Sequence, residues 1–190
     1  MTGGEPFLRE DLGEIIFILE KTANRIVIST NGYDTEKIVE LARAHKNIGV
    51  RVSLEGLAAA NDELRGVEGG FERGLRTLME LRRLGLKDIG FGITVSDRNA
   101  KDMLELYALA KDLKMEFATA AVHNSYYFHK HDNVIADKTG VSRSLENLKS
   151  ELLKTPRIKD WFRAYFIHGL IGYVQGRPRL FPCTAGQEVF

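Results

Sequence analysis

Arg25-Ile26-Val27-Ile28-Ser29-Thr30-Asn31-Gly32 decides the fold. Residues 25–30 are a short apolar run rich in β-branched side chains, and Asn31-Gly32 ends it with a turn pair. A run without strict polar alternation suits a buried strand of a parallel sheet. Outward from it the pattern turns helical. Upstream, Leu8, Leu12, Ile15, Ile16 and Leu19 recur at helical spacing with Arg9, Glu10, Asp11 and Glu14 between them, which predicts one helix over 7–22 with a buried face. Downstream, Ile38, Leu41 and Ala42 predict a helix over 34–44, with Asp34 placed to cap it.

The same unit repeats along the chain. Residues 49–54 (GVRVSL) read as a strand ended by Glu55-Gly56, residues 57–69 as a polar connection, and residues 70–84 as a helix carrying Phe71, Leu75, Leu78 and Leu81. Residues 87–95 (KDIGFGITV) give a strand, residues 99–113 a helix through Met103, Leu106, Tyr107 and Leu109, and residues 115–121 (MEFATAA) a further strand. Strands alternating with helices place the chain in the parallel α/β class, where function gathers at the carboxyl ends of the strands. Residues 30–32, 53–56 and 94–97 share that rim. Past Ala121 come a polar and aromatic loop over 122–140, which includes Tyr126-Tyr127-Phe128, and helices over 142–153 and 158–174 separated by Pro156. The domain reading is 1–155 for the α/β part and 156–190 for a helical linker and the start of something further.

Bulk properties narrow the function. A length of 190 residues suits one domain with a real core, and 28% charged against 44% hydrophobic residues argues against disorder. A formal charge of +1 offers no basic field to nucleic acid. No apolar run reaches the length of a membrane span and the first residues lack a leader pattern, so the expected setting is cytoplasmic, without membrane association. The single cysteine, Cys183, excludes an internal disulfide and any site built from several thiolates of this chain.

Candidate chemistry concentrates near the rim. Gly3 and Gly4 allow backbone of positive φ to approach a ligand, Glu5 offers a carboxylate to an ammonium, and Pro6 suits a first helical position. Equally, these residues could be a plain tail before a proline-started helix. Arg65 could fork onto a ligand carboxylate, or stay a surface arginine, while Ser53 and Glu55 offer acceptors to ribose-type hydroxyls. Together they describe a ligand with a zwitterionic amino-acid end and a sugar. His123, His129, His131 and Asp132 share one loop, open to a metal or, as favoured here, a solvated or substrate-facing role.

In order, Gly3-Gly4-Glu5-Pro6, Thr30-Asn31-Gly32, Ser53-Leu54-Glu55-Gly56, Asn61-Asp62 and Arg65-Gly66 resemble the radical S-adenosylmethionine (SAM) enzymes. The resemblance implies a partial (βα)6 barrel that lacks the first strands and first helix and binds SAM across its strand tips. It implies Gly3, Gly4, Glu5 and Pro6 at the methionine ammonium with Thr30 or Asn31 beside them, Ser53 and Glu55 at the ribose, Arg65 at the carboxylate, and backbone near Ala118 to Ala120 at the adenine. Such enzymes pass one electron from a four-iron four-sulfur cluster into SAM, and the resulting 5'-deoxyadenosyl radical takes hydrogen from substrate.

One departure is large. The family's CxxxCxxC cluster loop lies upstream of the Gly-Gly-Glu-Pro element, where this sequence has only Met1 and Thr2, and Cys183 cannot replace three thiolates. Pro182-Cys183-Thr184-Ala185-Gly186 resembles the start of the auxiliary-cluster extension called SPASM or twitch, which implies a metal-ligand role for Cys183; a buried thiol is the other reading. The expectations are therefore a chain clipped at both ends, inactive alone, with no catalytic residue assigned and an open sheet edge along residues 25–30 suited to association. A full-length form would need an electron donor and an unknown substrate, peptide or small molecule. The alternative is a non-catalytic SAM- or nucleotide-binding module acting through a partner.

Overall fold

The computed structural model describes residues 4–124, 129, 131–178 and 180. Gly3, Tyr126-Tyr127-Phe128 and Cys183 lie outside the described residues. The chain divides into two compact units, Met1–Ala120 and Ala121–Phe190.

The first unit is built on a four-stranded sheet in which β1 (Ile26–Thr30), β2 (Ile48–Ser53), β3 (Ile89–Val95) and β4 (Glu116–Ala121) lie side by side in chain order. β1 pairs parallel to β2 with Ile26 opposite Ile48 and Thr30 opposite Val52, and β2 pairs parallel to β3 with Val50 opposite Ile89 and Ser53 opposite Gly92. α1 (Leu12–Leu19) precedes β1, and α2 (Thr35–Ala44), α3 (Ala58–Arg65), α4 (Gly70–Arg83) and α5 (Met103–Asp112) fall between strands, as the α/β reading requires. Ile28, Val50, Val52, Phe91, Ile93 and Val95 bury themselves with Ile16, Ile38, Leu78, Leu81, Met103 and Leu106 from the helices. Among the described residues β1 is an edge strand, as expected.

Burial along the strands distinguishes the two faces of the sheet. β1 and the end of β3 alternate between buried and half-buried positions, so the strands are not covered equally on both faces. The half-buried series includes Ser29, Arg51, Ser53, Gly92 and Thr94, a small and polar set on the face opposite the apolar core.

Three helix boundaries also differ from the sequence reading. The helix expected over 7–22 is a 3-10 turn, Pro6–Leu8, followed by α1, because Arg9 is extended (φ −83, ψ 128) and its guanidinium is held by Asp11 in two bonds of 2.9 and 2.7 Å. Leu8 is consequently 80% exposed, off the buried stripe of Leu12 and Ile16. The supposed polar connection over 57–69 contains α3: three alanines and Asp-Glu-Leu-Arg favour a helix, Asp102 accepts the Leu57 N–H at its start, and Gly66 ends it in the left-handed region. In the second unit α6 (Lys138–Leu153) begins a turn before residue 142, where the Asp137 carboxylate accepts the Gly140 N–H.

Tight loops hold the rim. Gly32 has φ +72, and a Cβ there would lie 2.6 Å from Val52 Cγ1 and 3.2 Å from Gly74 Cα, so only glycine lets the turn lie against α4. The Thr77 hydroxyl donates to Gly32 O at 3.0 Å and meets the Thr35 hydroxyl at 2.7 Å, pinning α4 to the β1–α2 turn. At the amino-terminal ends of the strands, Asp88 accepts from Arg25 at 2.7 and 3.0 Å and from Arg51 at 2.5 Å. Burial raises the Asp88 pKa, but the bonds and charges of the two arginines outweigh it and bring it to about 2 from the ordinary 3.8.

The second unit pairs α6 with α7 (Ile158–Val174). Val141, Leu145, Leu148 and Leu152 supply the buried side of one helix, and Ala164, Ile167, Ile171 and Val174 that of the other. Buried Asp160 accepts from Thr155 Oγ1 at 2.8 Å and from Arg163 at 3.0 Å, fixing the turn between them. No described helix is long and apolar enough to cross a membrane.

Candidate functional site

At the first strand tip a carboxylate gathers donors from two elements. Glu5 precedes the Pro6–Leu8 turn and caps it, its Oε1 accepting the Phe7 N–H at 3.2 Å, with Pro6 in the first position where a missing N–H costs nothing. The same Oε1 accepts the buried Thr30 hydroxyl at 2.7 Å, and Oε2 accepts the Asn31 N–H at 2.7 Å. Gly4, at φ +57, turns the chain into this position, and a Cβ on it would meet nothing within 4 Å. Oε2 carries one of these bonds and keeps room for another donor, such as an ammonium.

A second carboxylate organises the next two tips. Glu55 donates its N–H to Asn61 Oδ1 at 2.9 Å, and its carboxylate accepts Arg65 Nη2 at 2.9 Å and the Thr94 N–H at 2.8 Å, so β2, α3 and β3 meet at one side chain. Asp62 accepts the Gly69 N–H at 2.6 Å and the Phe71 N–H at 3.1 Å, capping α4. Burial works to raise the Asp62 pKa, but the bonds from Asn61, Phe71, Gly69 and Gly70 hold it below the usual carboxylate range.

Between these tips lies a cavity of about 130 Å³ lined by Asn31, Tyr33, Ser53, Asn61, Arg65, Val67, Gly70 and Arg73. Asn31, Ser53 and Arg65 thus meet in one hollow; Glu5 joins it through the Asn31 backbone and Glu55 through the Arg65 guanidinium. Arg65 Nε is buried and has no acceptor, the one such side-chain atom among the described residues. An N–H withdrawn from water without a partner costs free energy, and an anion in the cavity would relieve that cost. The SAM carboxylate therefore fits the residues present. A four-iron cluster does not: the chain has one cysteine, and among the described residues no group of three or more His, Cys, Asp or Glu could hold a metal.

Sequence reasoning missed Tyr33, Val67, Gly70 and Arg73 as cavity walls. One signal was available. Gly74 and Thr77 are small residues buried on an otherwise bulky helix, and they mark where α4 presses on the rim and brings Arg73 there. A larger groove of about 480 Å³, lined by Phe7, Leu12, Leu41 and Ala44 among others, includes neither Thr30, Ser53 nor Arg65.

A parallel βα sheet thus gathers a carboxylate, hydroxyls and an arginine along one rim. The family model of the Radical SAM superfamily matches residues 1–110, and the chain belongs to that superfamily. Its members use SAM and a four-iron four-sulfur cluster. The chain is similar to the Fe-coproporphyrin III synthase of Methanosarcina barkeri, 35% identical over 117 residues that cover 60% of this chain and 29% of that protein. It is also similar to a mycofactocin maturase of Mycolicibacterium smegmatis, 32% identical over 110 residues that cover 57% of this chain and 28% of that one. Streptococcus suis SuiB, solved bound to S-adenosylmethionine, shares the fold with TM-score 0.65 at 21% identity, over 80% of this chain and 36% of that one. The chain thus spans less than a third of the length of these curated relatives.

Proposed function

We propose that this chain supplies the SAM-binding strand tips of a radical SAM enzyme, with Gly3, Gly4, Glu5 and Pro6 toward the methionine ammonium, Thr30 and Asn31 beside them, Ser53 and Glu55 toward the ribose, and Arg65 toward the carboxylate. The observation that carries this is the buried, acceptorless Nε of Arg65, a residue that lines a cavity shared with Asn31 and Ser53, one hydrogen bond from Glu5. Bound SAM supplies a sulfonium whose reductive cleavage yields a 5'-deoxyadenosyl radical. The residues of this chain bind and orient it: two carboxylates for an ammonium and for hydroxyls, one guanidinium for a carboxylate. Backbone of Ala118 to Ala120 on β4 remains the candidate for the adenine.

The cluster ligands, an electron donor and the substrate lie with other residues or proteins in this proposal. The relatives' names include a porphyrin synthase and a maturase, which supports a small-molecule or peptide substrate. The second reading is a SAM- or nucleotide-binding module that acts through a partner and does no chemistry alone. Under either, we retain residues 1–155 as barrel and 156–190 as linker with a SPASM-like start in which Cys183 is a metal ligand, in a cytoplasmic setting without nucleic acid or membrane.

Calorimetric titration of SAM into the purified chain tests the proposal. Binding that Arg65→Gln weakens about tenfold or more is expected for loss of a charge-assisted contact; no binding to the wild type overturns it. Anaerobic reconstitution separates the second reading. A full cluster of about four irons and four sulfides per chain would show that cysteine count misled us.

A further inference from the structure

The cavity holds a second guanidinium. Arg73 on α4 stands with Cζ 4.1 Å from the centroid of the Tyr33 ring, and both residues line the hollow with Arg65. Stacking occupies the face of a guanidinium and leaves its N–H edge free to donate. Among the described residues Arg73 has no carboxylate partner, whereas Arg65 is already paired with Glu55. The lining of the hollow therefore carries two guanidiniums, Arg65 and Arg73, and no carboxylate, while Glu55, Asp62 and Glu5 each stand one hydrogen bond behind it. Of those carboxylates, Asp62 also takes the Gly69 and Phe71 amides at the start of α4.

We infer that Arg73, held by its stack on Tyr33, is a second positioning cation for the carboxylate of the bound amino acid, and that this pair gives the site its preference for ligands that keep that carboxylate. Tyr33 is 56% exposed, so the stack stands at the solvent side of the cavity and sets the near wall that a carboxylate passes. Arg65 stands on the buried side of the hollow and Arg73 on the wet side. One carboxylate between two guanidiniums is a stronger and more selective arrangement than one ion pair. The inference rests on the SAM reading given above.

The test is calorimetric titration of the whole chain with SAM and with decarboxylated SAM, for the wild type, Arg73→Gln, Arg73→Lys and Tyr33→Leu. Wild type is expected to favour SAM over the decarboxylated analogue. Arg73→Gln should weaken SAM about tenfold and leave the analogue unchanged, as loss of one charge-assisted contact to the carboxylate predicts. Arg73→Lys should fall between, keeping charge without the planar stack, and Tyr33→Leu should follow it. The Arg73 guanidinium makes no hydrogen bond among the described residues, so its variants are expected to fold, and circular dichroism checks this. Unchanged SAM affinity in Arg73→Gln, or an equal loss for both ligands, overturns this inference alone. A wild type that binds neither ligand overturns it together with the SAM reading.

Discussion

Glu5→Gln keeps the shape of the side chain while removing its charge and turning one acceptor into a donor. In the wild type, Oε1 accepts from Thr30 Oγ1 at 2.7 Å and from Phe7 N at 3.2 Å, and Oε2 accepts from Asn31 N at 2.7 Å. If the amide oxygen takes the Oε1 position, the new NH2 faces the Asn31 N–H donor to donor. If it flips, the Thr30 hydroxyl loses its acceptor, and Thr30 is only 3% exposed. The first orientation is the cheaper, because Asn31 is exposed and water can take its N–H. An unpaired buried donor costs about 1–3 kcal/mol, so this route places the loss near the lower end, about 1 kcal/mol. That corresponds to a fall in melting temperature of roughly 2–4 °C for a chain of this size. Ligand binding should suffer more, since the carboxylate facing the ammonium is gone: about tenfold or more in SAM affinity, with no change for an analogue lacking the amine. Denaturant melts followed by circular dichroism and titration calorimetry read both numbers. A Glu5→Gln chain with wild-type midpoint and wild-type SAM affinity would refute this account of Glu5, as would an equal loss for the amine-free analogue.

Other outcomes test the scaffold. The folded pKa of Asp88 lies below the unfolded value, about 2 against 3.8, so its stabilisation is present above 3.8 and is lost as pH falls through about 2. That gap is worth at most about 2.5 kcal/mol, and with 29% of the side chain exposed screening reduces it to about 1 kcal/mol. Asp88→Asn should therefore flatten the acid limb of the stability curve, and an unchanged limb contradicts the assignment. Gly90→Ala would set a Cβ 2.0 Å from the Glu116 carbonyl oxygen, a backbone atom that cannot swing aside, so a loss of about 3 kcal/mol or more is expected in a urea melt. Wild-type stability there would mean β3 and β4 are not as close as described. The edge of β1 should drive concentration-dependent association in sedimentation experiments; a single monomeric species at all concentrations argues otherwise.

The sheet was legible because its strands are short, rich in β-branched residues and closed by Asn31-Gly32 and Glu55-Gly56, which punctuate whatever the tertiary context. Thr30 and Ser53 were legible as neighbours because they close β1 and β2, and parallel topology brings those tips to one side; Glu5 reaches the first tip from before α1, and Arg65 reaches Glu55 from the end of α3. What failed was local in one case and distant in another. The 57–69 stretch looked polar, yet Ala58-Ala59-Ala60 pays little entropy to become helical, and Asp102 from a later element supplies the start. Leu8 fitted a helical stripe that the Arg9–Asp11 bridge interrupts before it can form. Tyr33 and Arg73 belong to separate βα units, and nothing in the spacing of either announces that a ring and a guanidinium will stack.

Asp88 ties Arg25 and Arg51 together at the end of the strands away from the cavity. The strands are thus clamped at the end where no ligand is proposed to sit, so Thr30 and Ser53 keep their spacing at the other end whether or not a ligand is there.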